Sequence, residues 1–262
     1  MQPKQGIKPV VILVHGMWSN QDTLKEVQDA FTEQGYPTEA LCLPYHHSKQ
    51  EHTPASIKSL AQARLQDYVQ HIVERIKQQN TPPILVGHSM GGLLVQLAAA
   101  QVPCERLVLF SSAAPAGING LSLSAIRTFG ANLLRFPLWK SITEVKIENI
   151  RYGIANSQST DLQQEIYSKS TYESGMATLQ ISMGLLLGKR SAAYFNEANI
   201  NCPVLIIGGT ADRITPISVQ RNIAKRLGSR CKLVEIPGCC HWSIGGKYFP
   251  QIQPEIFKWL SA

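Results

Sequence analysis

The sequence predicts an α/β fold, with about six mostly parallel strands flanked by helices and a helical segment inserted after the fourth strand. Three observations carry that expectation. Short apolar, β-branched runs alternate with helix-length amphipathic stretches, the pattern of a parallel sheet covered on both faces. The alternation breaks off between residues 115 and 199 and then resumes. The chain has 262 residues, 44% hydrophobic and 16% charged, enough for one large domain with an ample core.

Residues 10–14 form the first strand. Thr23, with Glu26 three residues on, reads as a capping box, and Leu24, Val27 and Phe31 mark one face of the helix it opens. Residues 38–43 are the second strand. Ile57, Leu60, Leu65, Tyr68, Ile72 and Ile76 recur at helical spacing through one long helix. Residues 84–88 are the third strand, and residues 90–101 a helix apolar nearly all round, hence buried. Residues 107–112 are the fourth strand. The insert holds helix-like stretches over 121–136 and 161–187 and no strand pattern. Strands resume at 204–208 and 232–236, with a helix between them that has Thr215 as N-cap, Pro216 at its first position and Gly228 just past its end. Phe249, Ile252, Ile256 and Trp259 share a face of the closing helix. Residues 1–114 and 200–262 are thus expected to form the core, and 115–199 the insertion.

Composition narrows the function classes. The net charge of +7 comes from scattered Lys and Arg, whereas a nucleic-acid binder concentrates them on one face or arm. Weak attraction to anionic lipid or acidic partners is the most that this charge implies. Residues 1–6 show no signal-peptide pattern, and no apolar run approaches a membrane span. Cys42, Cys104, Cys202, Cys231, Cys239 and Cys240 form no C-x-x-C pair and no dense framework, which reads as free thiols in a reduced, cytoplasmic setting. Export by a route that leaves no signal stays open. Oligomeric state is not legible.

The chemistry concentrates at three strand ends. Ser89 lies in Gly87-His88-Ser89-Met90-Gly91, between a buried strand and a buried helix. A nucleophile on so sharp a turn has a strained backbone, and side chains two residues to either side would collide with neighbouring elements, hence the glycines. Serine is also a favoured helix N-cap, but a cap needs neither those glycines nor partners elsewhere in the chain. A serine hydroxyl needs an adjacent base; His241, after the last strand, is the candidate, and no other histidine follows His88. Asp212, after the preceding strand, is the acid that would orient it. Both loops leave the carboxyl ends of strands, where open α/β sheets gather their sites, and the order Ser, Asp, His is the one this architecture requires. The backbone N–H groups of Met90 and Met17 are the expected oxyanion donors, with Gly16 allowing close approach of substrate. Losing one such donor costs roughly 3 kcal/mol of transition-state stabilisation.

Taken together, His15-Gly16, Gly87-His88-Ser89-Met90-Gly91-Gly92, Gly208-Gly209-Thr210-Ala211-Asp212 and Gly238 to His241 resemble the α/β-hydrolase superfamily, and more narrowly its monoacylglycerol-lipase, carboxylesterase and lysophospholipase-like members. The resemblance covers nearly the whole chain outside the insert. It implies that the insert is a cap, or lid, over an acyl pocket and that no cofactor is used. Serine at position 89, in place of aspartate, sets the chain apart from the dehalogenase and epoxide-hydrolase branches. The loop His15-Gly16-Met17-Trp18 lacks the glycine run of hormone-sensitive-lipase relatives. The two leading strands usual in the family have little room before Val10, so the core is a trimmed one.

The expected activity is hydrolysis of a carboxylic ester on a small-molecule or lipid-like substrate, through an acyl-enzyme on Ser89. A thioesterase, acyltransferase, perhydrolase or carbon–carbon hydrolase would use the same residues, and a catalytically silent ligand-binding member is a further alternative. Trp18 and Trp242 either line the pocket or pack beneath the cap. His46, His47 and His52 fit no tetrahedral metal spacing and read as a polar loop, with no metal expected. His15 and His88 read as structural hydrogen-bonding groups, and Cys239 and Cys240 as small packed residues. Leu133, Leu134, Phe136, Leu138 and Trp139, with Leu185, Leu186 and Leu187, form apolar clusters in the insert. Packing accounts for them by default, and peripheral contact with a lipid surface is the alternative.

Overall fold

A computed structural model describes residues 8–262, so residues 1–6, where no leader pattern is read, lie outside the described residues. Six parallel strands form one sheet in the order β2-β1-β3-β4-β7-β8: β1 Val11–Val14, β2 Thr38–Leu41, β3 Ile84–His88, β4 Arg106–Phe110, β7 Val204–Gly209 and β8 Cys231–Ile236. The four inner strands are nearly continuous hydrophobic runs because both faces are covered. Alternate residues feed opposite cores. Ile12, Val14, Leu85, Leu107, Leu109 and Ile206 pack with α3 (Leu65–Lys77), α4 (Met90–Ala99) and α10 (Ile217–Leu227). Val11, Leu13, Val86, Val108, Phe110 and Ile207 pack with α1 (Lys25–Glu33) and α11 (Phe249–Leu260), whose Phe249, Ile252, Ile256 and Trp259 are all buried.

Local expectations needed correction in four places. The helix expected through 57–76 is two: α2 (Pro54–Gln62), capped by Thr53, ends where Ala63 turns extended, and α3 restarts at Arg64, whose N–H donates to the Asp67 carboxylate. Apolar spacing that happens to stay in phase across a two-residue break hides it. Thr23 and Glu26 form no capping box. Asn20 caps a short 3-10 turn, and the Glu26 carboxylate accepts from Gly246 N–H, 220 residues away. Pro216, not Thr215, caps α10, while Gly228 ends it at φ +65° as expected.

The fourth correction concerns residues 115–199. This segment contains α5 (Leu123–Leu133), α6 (Ile147–Asn149) running into a π turn at Ile150–Ile154, α7 (Thr160–Ser168), α8 (Gly175–Ser182) and α9 (Gly184–Leu187). Two-residue strands β5 (Ile142–Thr143) and β6 (Glu173–Ser174) pair antiparallel, where no strand was expected. Gly175 is the reason the chain can pass there, since a Cβ would stand 2.0 Å from Leu138 O. The segment is fastened to the rest by polar ties: Thr171 N–H donates to Trp18 O, Ser174 Oγ to Ala63 O, and Leu65 N–H to Gln180 Oε1.

Candidate active site

Ser89 occupies the turn from β3 into α4 with φ +54° and ψ −118°, a backbone that side-chain-bearing residues rarely adopt. The flanking glycines are required sterically. A Cβ on Gly87 would lie 2.4 Å from Gly91 O, and one on Gly91 would lie 2.2 Å from Val14 O. The strain is held by backbone bonds on both sides, Ser89 N–H to Phe110 O and Ala113 N–H to Ser89 O.

Three side chains from three strand ends meet here. His241 Nε2 is 2.9 Å from Ser89 Oγ, and His241 Nδ1 is 2.9 Å from Asp212 Oδ2. The other Asp212 oxygen accepts the N–H groups of Ile214 and Thr215 at 2.8 and 2.9 Å. Thr215 Oγ1 lies 2.9 Å from both Asp212 Oδ2 and Ser111 O, which explains why this threonine is not the helix cap. With its carboxylate so occupied, Asp212 has one rotamer to offer the imidazole. His241 and Asp212 are buried, at 3% and 6% exposure, so their interaction is poorly screened.

Two further histidines shape the site. His88 is pushed down to about 3, by burial first and by the neighbouring His241 second, so its ring is neutral. Its Nε2–H donates to His241 O at 3.0 Å and fixes the backbone of the loop that carries His241. His15 is likewise driven down to about 3 by burial, then by His46. Its Nε2 accepts Leu43 N–H, leaving Nδ1–H to donate to Gly16 O at 2.9 Å. Gly16 C=O and Met17 N–H belong to one planar peptide, so His15 orients the amide that the sequence marks as an oxyanion donor. A Cβ on Gly16 would stand 3.0 Å from Ser89 Cβ, which places this loop against Ser89. The histidines were legible as structural groups; the bonds they make were not.

A cavity opens above Ser89. Met17, Trp18, Met90, His241 and Trp242 line its floor, and Ile118, Phe129, Leu133, Val145, Ile150, Ile154 and Leu185 its walls. Gly16 lines it too. No Asp, Glu, Lys or Arg lines it among the described residues. Both tryptophans line the cavity and also tie the segment 115–199 to the core. Trp18 Nε1–H donates to Thr143 Oγ1, its ring lies 4.9 Å from Phe129, and Trp242 N–H donates to Ile154 O. His46 departs from the polar-loop expectation. It is fully buried, with Nε2 2.9 Å from Glu173 Oε2, and Tyr68 OH donates to the other Glu173 oxygen. His52 lies by Ser56 and Thr171. Among the described residues no group of three His, Cys, Asp or Glu is placed to hold a metal ion.

A family model described as serine aminopeptidase, S33, matches residues 5–245. Among solved structures, the chain is similar to a monoacylglycerol lipase from Paleococcus ferrophilus, at 19% identity and a TM-score of 0.71 over 97% of this chain and 95% of that one. An extracellular α/β-hydrolase from a Paenibacillus species aligns at 18% identity and a TM-score of 0.71, over 95% of this chain and 98% of that one. Tomato methylketone synthase I, solved with 2-tridecanone, aligns at 15% identity and a TM-score of 0.68, over 97% and 98%. At these identities the likeness shows the fold, which is that of the α/β-hydrolases.

Proposed function

The chain belongs to the serine aminopeptidase S33 family of α/β-hydrolases, and from that premise we propose that it is a serine hydrolase of carboxylic esters with an apolar acyl chain. The observation that carries this reading is the Ser89–His241–Asp212 relay, 2.9 Å at each link, at the floor of a cavity that no charged side chain among the described residues lines. His241 takes the Ser89 proton as Oγ attacks the ester carbonyl, and Asp212 holds the imidazole in the required tautomer and stabilises the imidazolium. The N–H groups of Met17 and Met90 receive the oxyanion; no backbone carbonyl among the described residues takes either one. The protonated His241 gives its proton to the departing alcohol, and water repeats the sequence on the acyl-enzyme.

Aminopeptidase action, which the family's description names, is disfavoured by the same lining. A free α-ammonium entering a desolvated pocket needs a carboxylate partner. Asp212 is engaged behind His241. The tomato neighbour solved with 2-tridecanone shows that this fold can be paired with a long apolar chain, and the aliphatic walls here suit one. Residues 115–199 act in this reading as a cap that supplies those walls.

The test is a rate profile over nitrophenyl esters of increasing acyl length, alongside an amino-acid nitroanilide, with Ser89→Ala as control. Rates that rise with chain length, with the nitroanilide inert, are expected. Each well-buried methylene contributes up to about 0.8 kcal/mol. Faster turnover of the nitroanilide than of any ester would overturn the reading.

A further inference from the structure

The edge of the sheet opposite the triad carries chemistry that ester hydrolysis leaves unused. Cys104 precedes β4 and Cys202 precedes β7, the two strands between which the chain leaves and re-enters the sheet. These strands pair in parallel, Leu107 beside Val204, with Leu107 N–H donating to Pro203 O, so the register sets the preceding residues side by side. The two Sγ atoms are 3.3 Å apart and unbonded. Either thiol can donate to the other sulfur, and this contact and the nearby Arg230 guanidinium hold Cys202 below the ordinary thiol range despite its burial, while Cys104 lies above it. Arg230 is anchored by Ile200 O and Glu197 O, so its charge is a fixed part of the site. Cys231, by contrast, is pushed up to about 12 by burial alone. A stabilised thiolate with a second thiol in contact is the arrangement that two-step oxidation requires.

We propose that Cys104 and Cys202 are a modification site, a dithiol that a small hydroperoxide converts into a disulfide across the root of the inserted segment. The Cys202 thiolate attacks one peroxide oxygen and the O–O bond breaks. The leaving oxygen takes a proton and departs as water or an alcohol, and Cys202 becomes a sulfenic acid. Cys104 sulfur then attacks the sulfenic sulfur, its proton leaves with the hydroxyl as water, and the S–S bond forms. Two thiols lose two electrons and the peroxide gains them. The oxidant must be small, because Cys202 is only 6% exposed. The closed loop spans 98 residues and contains the whole segment 115–199, so the bridge restricts the unfolded chain more than the folded one.

The experiment treats the folded full-length protein with hydrogen peroxide, alkylates the remaining thiols and maps the peptides by mass spectrometry. Expected is recovery of Cys104 and Cys202 joined and unalkylated, with Tm raised by roughly 5–15 °C and ester hydrolysis unchanged, since the triad lies at the other ends of the strands. Cys104→Ser should stop at a Cys202 sulfenic acid that dimedone labels, with no gain in Tm. Two thiols that still alkylate after peroxide, or Cys202 driven to sulfinic acid with Cys104 free, would overturn the proposal. Peptide mapping of the wild-type protein decides this even where the serine variant fails to fold, and it does so independently of whether Ser89 hydrolyses esters.

Discussion

His15 has no place in the proposed proton relay, yet it orients one of the two amides proposed to receive the oxyanion. Its Nδ1–H holds Gly16 O, and on the proposed reading the same peptide would present Met17 N–H to the reacting carbonyl. His15→Ala should therefore lower kcat roughly ten- to a hundredfold with KM little changed, the signature of an interaction made in the transition state. Steady-state kinetics on a soluble nitrophenyl ester check this, and a KM effect alone would place His15 in substrate binding instead. Because His15 and His88 are both held near 3, neither should contribute to a pH–rate profile above about pH 5. At this scale the sequence was most informative where chemistry demands a fixed residue type. Ser89 with its glycines, Asp212 and His241 stand out at strand ends because few residue types suit the roles proposed for them. His88 and His15 adjoin motifs, but their bonds run to a backbone carbonyl 153 residues away in one case and to an adjacent peptide in the other, and no spacing rule reports either.

Among the elements, the docking of β6 onto the core turns on one buried charge. Glu173 is fully buried between His46 and Tyr68, and Ser174 N–H also donates to it. Burial works against a charged His46, but the Glu173 carboxylate and the backbone acceptor Pro44 O outweigh it and raise the ring above its ordinary 6.5. A raised folded value means that this contribution to stability is complete below about pH 6.5 and is lost as pH climbs through the raised value. Glu173→Gln should cost about 3–5 kcal/mol, the usual penalty for stranding one half of a buried pair. In thermal melts the gap between wild type and variant should be widest below pH 6.5 and narrow above it; a gap constant with pH would refute the ion pair. The sequence could not show this latch. Strands of two residues carry no alternation, and the partners lie 127 residues apart. The inner strands of the sheet were legible because each is apolar on both faces, whereas the break between α2 and α3 was masked by apolar residues that stay in phase across it.

For the whole molecule, part of the exposed apolar surface adjoins the cavity. Leu121, Ile126 and Leu185 line the cavity and yet are exposed, and Leu123 and Leu186 beside them are 88% and 77% exposed. Exposed Arg127, Lys189 and Arg190 adjoin them in sequence. Among the described residues no helix is long and apolar enough to cross a membrane. On the proposed reading, replacing both Leu123 and Leu186 with Asp should slow hydrolysis of a vesicle-borne ester about tenfold or more while sparing a soluble short-chain ester. Equal loss on both substrates would assign these residues to folding. The apolar clusters were visible in the sequence, but whether they faced inward was not: Leu138 is buried, while Leu134 and Phe136 are exposed. The covalent intermediate on Ser89 remains the claim on which the rest stands. Its most direct measurement is peptide mapping after exposure to a fluorophosphonate, with Ser89→Ala as the paired sample. Stoichiometric modification of Ser89, absent from the alanine variant along with ester hydrolysis, is the predicted result. Ester hydrolysis persisting in folded Ser89→Ala, or a label on another residue, would contradict it.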